Sequence, residues 1–203
     1  MTVTRILGLA QDAGSALAIS NVLKIAQLDK SLHVKTVGCG QSLTIFEREG
    51  LPHQCISHPD RTDSTSPAEL DKQLIDLFSM ERPDVLIMGS SRRRLGTELT
   101  LEQLSIKLSR ISHVPVVMVL DYWGYYEDRF DNPSTGQRNV FLPDWICVMD
   151  HLAARQLIAR GISRDSIEIT GNPHYDDIVE TLKQEGFVHR RSQRADSLNV
   201  LYQ

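Results

Sequence analysis

The sequence of 203 residues predicts an α/β fold, a doubly wound and mostly parallel sheet of about seven strands inside a three-layer α/β/α arrangement. Two observations predict it. Short strand-like segments alternate with longer segments of helical periodicity, which is typical of right-handed βαβ units. The strand-like segments are apolar throughout rather than alternately apolar and polar, and such strands belong to a sheet that is covered on both faces.

The first half of the chain supplies three predicted strands, at residues 5–10, 33–39 and 53–57, of which the third is weak. A helix follows the first strand, because apolar side chains recur there at helical spacing: Ile19, Val22, Leu23 and Ala26. A shorter helix, QSLTIFEREG, ends at Gly50, a favourable residue after a helix C-terminus. The polar residues 58–67 predict a loop that ends in a Ser-Pro helix start.

The second half supplies four more predicted strands, at residues 84–90, 114–121, 144–150 and 166–170. The helices between them are indicated by apolar side chains that share one helix face. These side chains are Leu70, Leu74 and Leu77 in one helix, and Leu101, Leu104, Leu108 and Ile111 in the next. A further helix, HLAARQLIARG, ends at Gly161.

Composition excludes several classes of function. The net charge of −4, with 41% hydrophobic and 24% charged residues, gives no general attraction to nucleic acid or to an anionic membrane. Cys39, Cys55 and Cys147 are widely spaced and form no CxxC pair, which indicates reduced thiols in a cytoplasmic protein. No apolar run approaches the roughly 20 residues of a transmembrane segment.

Polar residues follow the first predicted strand at its carboxyl end, where ligands bind in sheets of this class. Asp12 lies in the turn, and Gly14 and Ser15 open the next helix, whose free N–H groups are suited to an anion. An ordinary strand-to-helix turn, with Asp12 or Ser15 as its cap, explains the same residues.

Two other strand ends carry candidate binding residues. Arg92, Arg93 and Arg94 follow the strand at 84–90, and guanidinium groups suit phosphate or carboxylate, although a run of charges is often only a solvated surface. The strand at 114–121 ends at Asp121 and is followed by Tyr122 and Trp123. Such rings stack on sugars or anchor a protein interface, unless the loop folds back to cover the sheet.

No metal site is expected, because the scattered histidines lack HxxxH or HExxH spacing. No hydrolase nucleophile is expected either, because Ser90 and Ser91 lie outside a GxSxG motif. Acidic residues after the late Gly-Asn-Pro turn, Asp176 and Asp177, suit the dipole of a helix N-terminus.

The segment PDWICVMDHLAARQLIARGISRDSIEITGNPHYDDI, residues 143–178, resembles one part of the superfamily of GT-B glycosyltransferases and UDP-sugar 2-epimerases. In that superfamily a late strand runs into a TGNPxxD turn where two Rossmann-like domains join. The matching residues here are Thr170, Gly171, Asn172 and Pro173, with Asp176 or Asp177 in the acidic position. The preceding order of strands fits the N-terminal domain of that fold.

This resemblance implies that residues 1–187 form a Rossmann-like, acceptor-side domain, with Gly171, Asn172 and Pro173 at the interdomain hinge. Residues 188–203 would be the linker and the start of a missing second domain, which would bind the nucleotide-sugar donor. The partners implied are a sugar or a polyprenyl or glycan acceptor, and neither a cofactor nor a metal is expected. The first loop, AQDAGS, departs from the glycine-rich and His-containing form of some relatives, and leaves Asp12 as the candidate catalytic base.

Two other functions are compatible with these residues. The chain could be a non-catalytic module on a GT-B-like half that docks a protein partner through the arginines and the aromatic loop. It could also be a free-standing, flavodoxin-like domain that binds a nucleotide.

Overall fold

A seven-stranded, all-parallel sheet forms the centre of the computed structural model, which describes residues 3–56, 67–93 and 99–185. The strand order is β3-β2-β1-β4-β5-β6-β7. In chain order the strands are β1 (Thr4–Ala10), β2 (Leu32–Gly38), β3 (His53–Cys55), β4 (Val85–Met88), β5 (Val116–Val119), β6 (Trp145–Val148) and β7 (Ile167–Ile169). The predicted fold class is therefore confirmed.

Helices cover both faces of this sheet. They are α1 (Ala13–Gln27), α2 (Gln41–Arg48), α3 (Pro67–Glu81), α4 (Leu101–Ser112), α5 (Tyr126–Phe130), α6 (His151–Ala159) and α7 (Pro173–Gln184), and a 3-10 turn covers Arg164–Ser166. Helix α1 packs against α2 and α7 in one layer, and α3 packs against α4 in the other. The chain moves outward from β1 in one direction and, after β3, from β4 in the other, so the sheet changes winding direction between β1 and β4.

Each layer of helices has its own core. Ile19, Leu23 and Phe46 are fully buried between α1, α2 and one face of the sheet. The other face packs on Leu74 and Leu77 of α3 together with apolar residues of α4, α5 and α6. The predicted Leu70, Leu74 and Leu77 stripe is thus confirmed as the buried face of α3.

Helix α4 buries both apolar and polar side chains. Leu101 and Ile106 are buried, Leu104 and Leu108 are half-buried against the core, and Ile111 is 77% exposed. The predicted apolar stripe therefore contacts the core through Leu101, Leu104 and Leu108, whereas Ile111 is exposed at the end of the helix. Polar side chains are buried as well, namely Glu102, Gln103, Ser105 and Ser109. Glu102 accepts hydrogen bonds from residues that follow β1 and β4.

The other differences are small. Strand β3 has only three residues, and all of them are exposed at the edge of the sheet. The five-residue helix α5 was not predicted. Residues 58–66 of the predicted loop, Arg94 and the predicted linker at 188–203 lie outside the described residues.

Candidate functional site

The candidate site lies where β1, β4 and β5 end and where the winding direction of the sheet changes. In an open α/β sheet, the loops on the two sides of this point diverge and leave a crevice for a ligand. The residues that follow these three strands contact one another directly. We call this group the rim cluster: Asp12, Gly14, Ser15, Ser90, Ser91, Glu102, Asp121 and Arg129.

Asp12 begins helix α1. Its Oδ1 accepts a hydrogen bond from the backbone N–H of Ser15 at 2.8 Å, and its own N–H donates to Ser91 Oγ at 3.2 Å. The alternative explanation, that Asp12 is a helix cap, therefore accounts for one of its two carboxylate oxygens. The second oxygen, Oδ2, accepts no hydrogen bond from the residues that the structure describes.

Gly14 allows a second carboxylate to approach the start of α1. A Cβ atom at Gly14 would lie 2.6 Å from Asp121 Oδ2 and 3.6 Å from Asp12 Oδ1. Any side chain larger than hydrogen would displace the Asp121 carboxylate. The glycine therefore lets two carboxylates, from different strand ends, converge around one point at the helix N-terminus.

Asp121 is held in place from its other side. Its Oδ1 accepts hydrogen bonds from Ser90 Oγ at 2.8 Å and from Arg129 Nη2 at 3.0 Å. The Arg129 side chain is buried, and it also donates to the backbone oxygens of Ser90 and Gly124. Because Oδ1 takes these bonds, Oδ2 is left facing Gly14.

Glu102 lies beneath the cluster and is 1% exposed. Its Oε1 accepts hydrogen bonds from the N–H of Gln11, from Ser15 Oγ and from Ser91 Oγ. Its Oε2 is buried without a hydrogen-bond partner among the described residues. Burial raises the pKa of Glu102, the Ser91 hydrogen bond opposes this rise, and the nearby charge of Asp12 adds to it.

Two of the three predicted arginines lie beside the cluster, bound to helix α5. Arg92 donates from Nε to Asp128 Oδ2 at 2.8 Å, and its guanidinium carbon lies 3.7 Å from the centre of the Tyr125 ring. Arg93 is mostly buried and donates to the backbone oxygen of Asp128. Arg92 is the exposed member of the pair, so a ligand at this surface would meet Arg92 rather than Arg93.

The aromatic residues form a continuous row with Arg92. Tyr122 stacks on Tyr125 with ring centres 6.0 Å apart, and it meets Trp123 edge-on at 6.2 Å. Tyr122 and Tyr125 are exposed. Trp123 is half-buried against the core, and its indole N–H donates to the Asp150 carboxylate at 3.1 Å. Part of the Tyr122 ring is therefore exposed and could meet a ligand. Trp123 instead packs inward, as expected if this loop folds back to cover the end of the sheet.

Gly171, Asn172 and Pro173 connect β7 to α7. Gly171 has φ of +81°, a backbone conformation that favours glycine. Asn172 caps α7 by accepting a hydrogen bond from the N–H of His174, and Pro173 occupies the first turn. The oxygen of Pro173 accepts a hydrogen bond from Asn21 Nδ2 at 2.7 Å, which ties this turn to α1.

The structure thus brings together Asp12, Gly14, Ser15 and Asp121, with Arg92 and Tyr122 at the margin. Glu102, Arg129 and Asp128 were not predicted. A signal for Glu102 exists in the sequence, because Glu102, Ser105 and Ser109 recur at helical spacing and mark a polar face. No comparable signal marks Arg129, which the chain brings to the rim through the short helix α5.

Within residues 3–56, 67–93 and 99–185, no group of three or more His, Cys, Asp or Glu side chains could hold a metal ion. No helix in this part of the chain has both the length and the apolar character needed to cross a membrane.

No protein-family model and no curated protein matches the sequence. Solved structures do match. UDP-GlcNAc 2-epimerase from Neisseria meningitidis, bound to UDP-GlcNAc, has a TM-score of 0.64 at 14% identity over 98% of this chain and 55% of its own. The enzyme of the same name from Methanocaldococcus jannaschii has a TM-score of 0.63 at 14% identity, over 89% and 49%. That from Rickettsia bellii has 0.62 at 12% identity, over 90% and 48%.

The chain spans about half the length of these solved chains, which fits an N-terminal domain. At such low identity the likeness shows the fold and not the activity. The resemblance noted for residues 143–178 is confirmed at that level. This chain has the fold of one Rossmann-like half of the UDP-GlcNAc 2-epimerases.

Proposed function

We propose that this chain is the sugar-facing half of a sugar-nucleotide epimerase or of a GT-B glycosyltransferase, and that it acts with a second, donor-binding domain. The epimerase is the first choice, because the solved structures that it resembles are UDP-GlcNAc 2-epimerases. In this proposal residues 1–187 are the acceptor-side domain, Gly171, Asn172 and Pro173 are the hinge, and residues 188–203 lead into the second domain. The protein acts in the cytoplasm, as its free cysteines suggest.

The single observation that carries the proposal is the pair of carboxylates at Gly14. Asp12 and Asp121 follow two different strands, and a carboxylate oxygen of each lies within 4 Å of the position that a Cβ atom at Gly14 would occupy. One oxygen of each carboxylate has a structural partner, since Asp12 Oδ1 caps α1 and Asp121 Oδ1 pairs with Arg129. The other oxygen of each carboxylate has no donor among the described residues and is suited to moving protons to and from a bound substrate.

The chemistry follows from this geometry. Inversion of the sugar carbon next to the anomeric carbon requires that a proton leave one face and that a proton arrive at the other face. Because no carbonyl group makes this C–H bond acidic, it breaks together with the anomeric C–O bond: a C=C bond forms and UDP leaves with the electron pair of the C–O bond. Addition of a proton to the opposite face and of UDP to the anomeric carbon then restores both bonds.

Asp12 Oδ2 and Asp121 Oδ2 both lack hydrogen-bond donors among the described residues and are available to take up and return the proton. For a transferase, Asp12 alone would act as the base toward an acceptor hydroxyl. Gly14 and Ser15 supply the helix start that faces the ligand.

The margin of the site is suited to a sugar ring. Tyr122 follows Asp121 directly in the chain and has an exposed ring, and Arg92 next to Tyr125 supplies a cation within the same row. Aromatic rings stack on the apolar face of a pyranose, while guanidinium groups bind hydroxyl or phosphate oxygens. Arg93 and Trp123 support this surface in the proposal rather than contacting the ligand.

Helix α7 supports the idea of a second domain. It follows the proposed hinge and has four apolar side chains at helical spacing that are each 38–46% exposed: Tyr175, Ile178, Val179 and Leu182. A stripe of this kind is suited to packing against a neighbouring lobe.

Saturation-transfer-difference NMR of the chain with UDP-GlcNAc tests the proposal. We expect saturation of the hexose protons and little saturation of the uracil protons, with a dissociation constant on the order of 1 mM, since half a cleft supplies few contacts. Asp121→Asn should weaken the hexose signal, and Glu168→Gln, at an exposed position on β7, is the matched control. Equal loss of signal in both variants, or no hexose saturation, contradicts the proposal.

The same experiment separates the alternatives. A free-standing nucleotide-binding domain would show saturation mainly of the uracil and ribose protons, and UDP alone would bind as well as UDP-GlcNAc. A non-catalytic protein-interaction module would show neither signal. The exposed row of Arg92, Tyr125 and Tyr122 is the specific feature that favours this last alternative.

A further inference from the structure

The first turn of α4 is polar and buried, and its hydrogen bonds reach segments on both sides of the rim cluster. Glu102 and Gln103 are each 1% exposed. Glu102 accepts from the segments that follow β1 and β4. Gln103 faces α5 instead, and its Nε2 donates to the backbone oxygens of Asp128 and Arg129 at 3.0 Å each. Two consecutive residues of one helix turn thus contact the elements that hold the two carboxylates of the rim cluster.

Gln11 and the first turn of α4 form a reciprocal pair of hydrogen bonds. The N–H of Gln11 donates to Glu102 Oε1 at 3.0 Å, and Gln11 Oε1 accepts from the N–H of Leu101 at 2.7 Å. The N–H of Leu101 is one of the groups at a helix start that have no partner within the helix, and this bond satisfies it. Since Gln11 directly precedes Asp12, α4 fixes the backbone from which the Asp12 carboxylate projects.

Helix α5 depends on contacts of the same kind because it is short. It has five residues, and its N-cap residue, Tyr125, makes no side-chain capping bond. A helix of this length is not stable in isolation, and its last C=O groups lack partners within the helix. The amide of Gln103 donates to two of these C=O groups, and Arg93 also donates to the oxygen of Asp128. Gln103 therefore holds the C-terminal end of α5 against α4.

Arg129 connects the end of α5 to the Asp121 carboxylate. Its backbone oxygen accepts from Gln103, and its guanidinium group donates to Asp121 Oδ1 at 3.0 Å. The same guanidinium group is buried and donates to the backbone oxygens of Ser90 and Gly124. Charge-assisted bonds of this kind fix geometry as well as energy, so a shift of Arg129 would also shift Asp121. The position of Asp121 Oδ2 near the start of α1 thus depends on Gln103.

Gln103 has an ordinary structural role as well, because it completes a capping box with Thr100. The N–H of Gln103 donates to Thr100 Oγ1 at 3.2 Å, and Gln103 Oε1 accepts from the N–H of Thr100 at 3.0 Å. The cap uses the oxygen of the side-chain amide, whereas the bonds to α5 use its nitrogen. Glutamate serves equally well in a capping box but has no NH₂ group. One substitution can therefore separate the two roles.

We infer that Gln103 is a positioning residue, which fixes α5 and, through Arg129, places the Asp121 carboxylate relative to Asp12. The first turn of α4 is then the common anchor of both carboxylates, since Glu102 holds the segment of Asp12. That the two carboxylates act on a sugar rests on the proposed function, whereas their placement by α4 does not.

Hydrogen exchange of the Arg129 Nε–H, followed by NMR of the ¹⁵N-labelled chain without ligand, tests the inference. Gln103→Met keeps the side-chain volume and removes both sets of bonds, so it should raise this exchange rate by at least about 10-fold through more frequent local opening. Gln103→Glu should raise it by at least about threefold, because a carboxyl group keeps the capping oxygen but offers at most one proton to α5. Ser109→Ala, at a buried position of α4 whose hydroxyl bonds within the helix, should leave the rate unchanged.

Binding of UDP-GlcNAc supplies a second arm. In saturation-transfer-difference NMR, Gln103→Glu should lower the hexose signal at least about twofold relative to Ser109→Ala, because the displaced Asp121 contacts the sugar less well. Circular dichroism shows whether each variant is folded, and Gln103→Glu, which retains the cap, decides the test if Gln103→Met does not fold.

Unchanged exchange of the Arg129 Nε–H in a folded Gln103→Glu or Gln103→Met variant overturns the inference, and Gln103 would then be a helix cap only. A hexose signal that is equal in Gln103→Glu and Ser109→Ala also overturns it. Faster exchange in the Gln103 variants, together with no hexose signal from the wild-type chain, would support the positioning role and contradict the proposed function.

Discussion

Glu102 has an unusual environment for an ionisable side chain, because it is almost fully buried. A carboxyl group is rarely buried without a cationic partner, and here three hydrogen-bond donors meet one of its oxygens while the other has none among the described residues. These donors come from the segment after β1 and from the segment after β4. Glu102 thus holds two strand ends in register, and Asp12 and Gly14 belong to one of these segments.

This environment predicts a pH dependence of stability. Burial raises the folded-state pKa of Glu102 above its ordinary value, so the protonated form is favoured on folding. The stabilisation is fully present below the unfolded pKa of glutamate and is lost as the pH rises through the folded pKa, at about 1.4 kcal/mol per unit of pKa difference. Asp12 is the charged group that faces Glu102, and its ionisation adds to the loss.

Glu102→Gln should therefore remove part of the fall in unfolding free energy between about pH 4.5 and neutral pH. Urea unfolding at a series of pH values measures this, with Glu168→Gln at an exposed position as the control. A Glu102→Gln variant whose stability falls with pH as steeply as that of the wild type would contradict a raised folded-state pKa of Glu102.

At the scale of elements, the segment between β5 and α5 divides into a binding part and a structural part. Tyr122 is exposed, and within the described residues its ring–ring contacts are with Trp123 and Tyr125. Trp123 packs against the core and donates to Asp150, which itself caps α6 by accepting from the N–H of Ala153. The two rings could not be distinguished from the sequence, because a loop has no regular periodicity that would indicate which side chain is buried.

We predict that Tyr122→Ala changes the free energy of unfolding by no more than about 0.5 kcal/mol, as is usual for an exposed side chain. Trp123→Ala should cost about 2 kcal/mol or more, through lost packing and the lost hydrogen bond to Asp150. Chemical denaturation of the two variants measures the difference. If both substitutions were neutral, Trp123 would be a surface ring like Tyr122; if both were costly, Tyr122 would be part of the core.

The elements were predictable to different degrees. Strands β1, β4, β5 and β6 could be predicted from their unbroken apolar runs, which are typical of a sheet covered on both faces. Helix α4 was located correctly, but the burial of Glu102 was not predicted, because the hydrogen bonds that it accepts come from residues that are distant in the sequence or lie in a loop. Helix α5 was missed because five residues are too few for a periodic pattern.

At the scale of the whole molecule, topology explains why part of the site could be predicted. In a parallel sheet, the residues that follow each strand lie at the same end of the sheet. Asp12 and Asp121 could therefore be expected at this end from the sequence alone. That they converge at Gly14 could not, because the distance depends on the neighbouring order of β1, β4 and β5. The contribution of Arg129 depends on the same order, since it reaches Asp121 from α5.

The most direct test of the central claim is a map of backbone amide chemical shifts on titration with UDP-GlcNAc. If the rim cluster is the sugar-facing site, the amides of Gly14, Ser15, Ser90 and Tyr122 should shift most, and Asp121→Asn should abolish these shifts while the rest of the spectrum stays folded. Shifts that gather away from the carboxyl ends of β1, β4 and β5, or that persist unchanged in the Asp121→Asn variant, would contradict it.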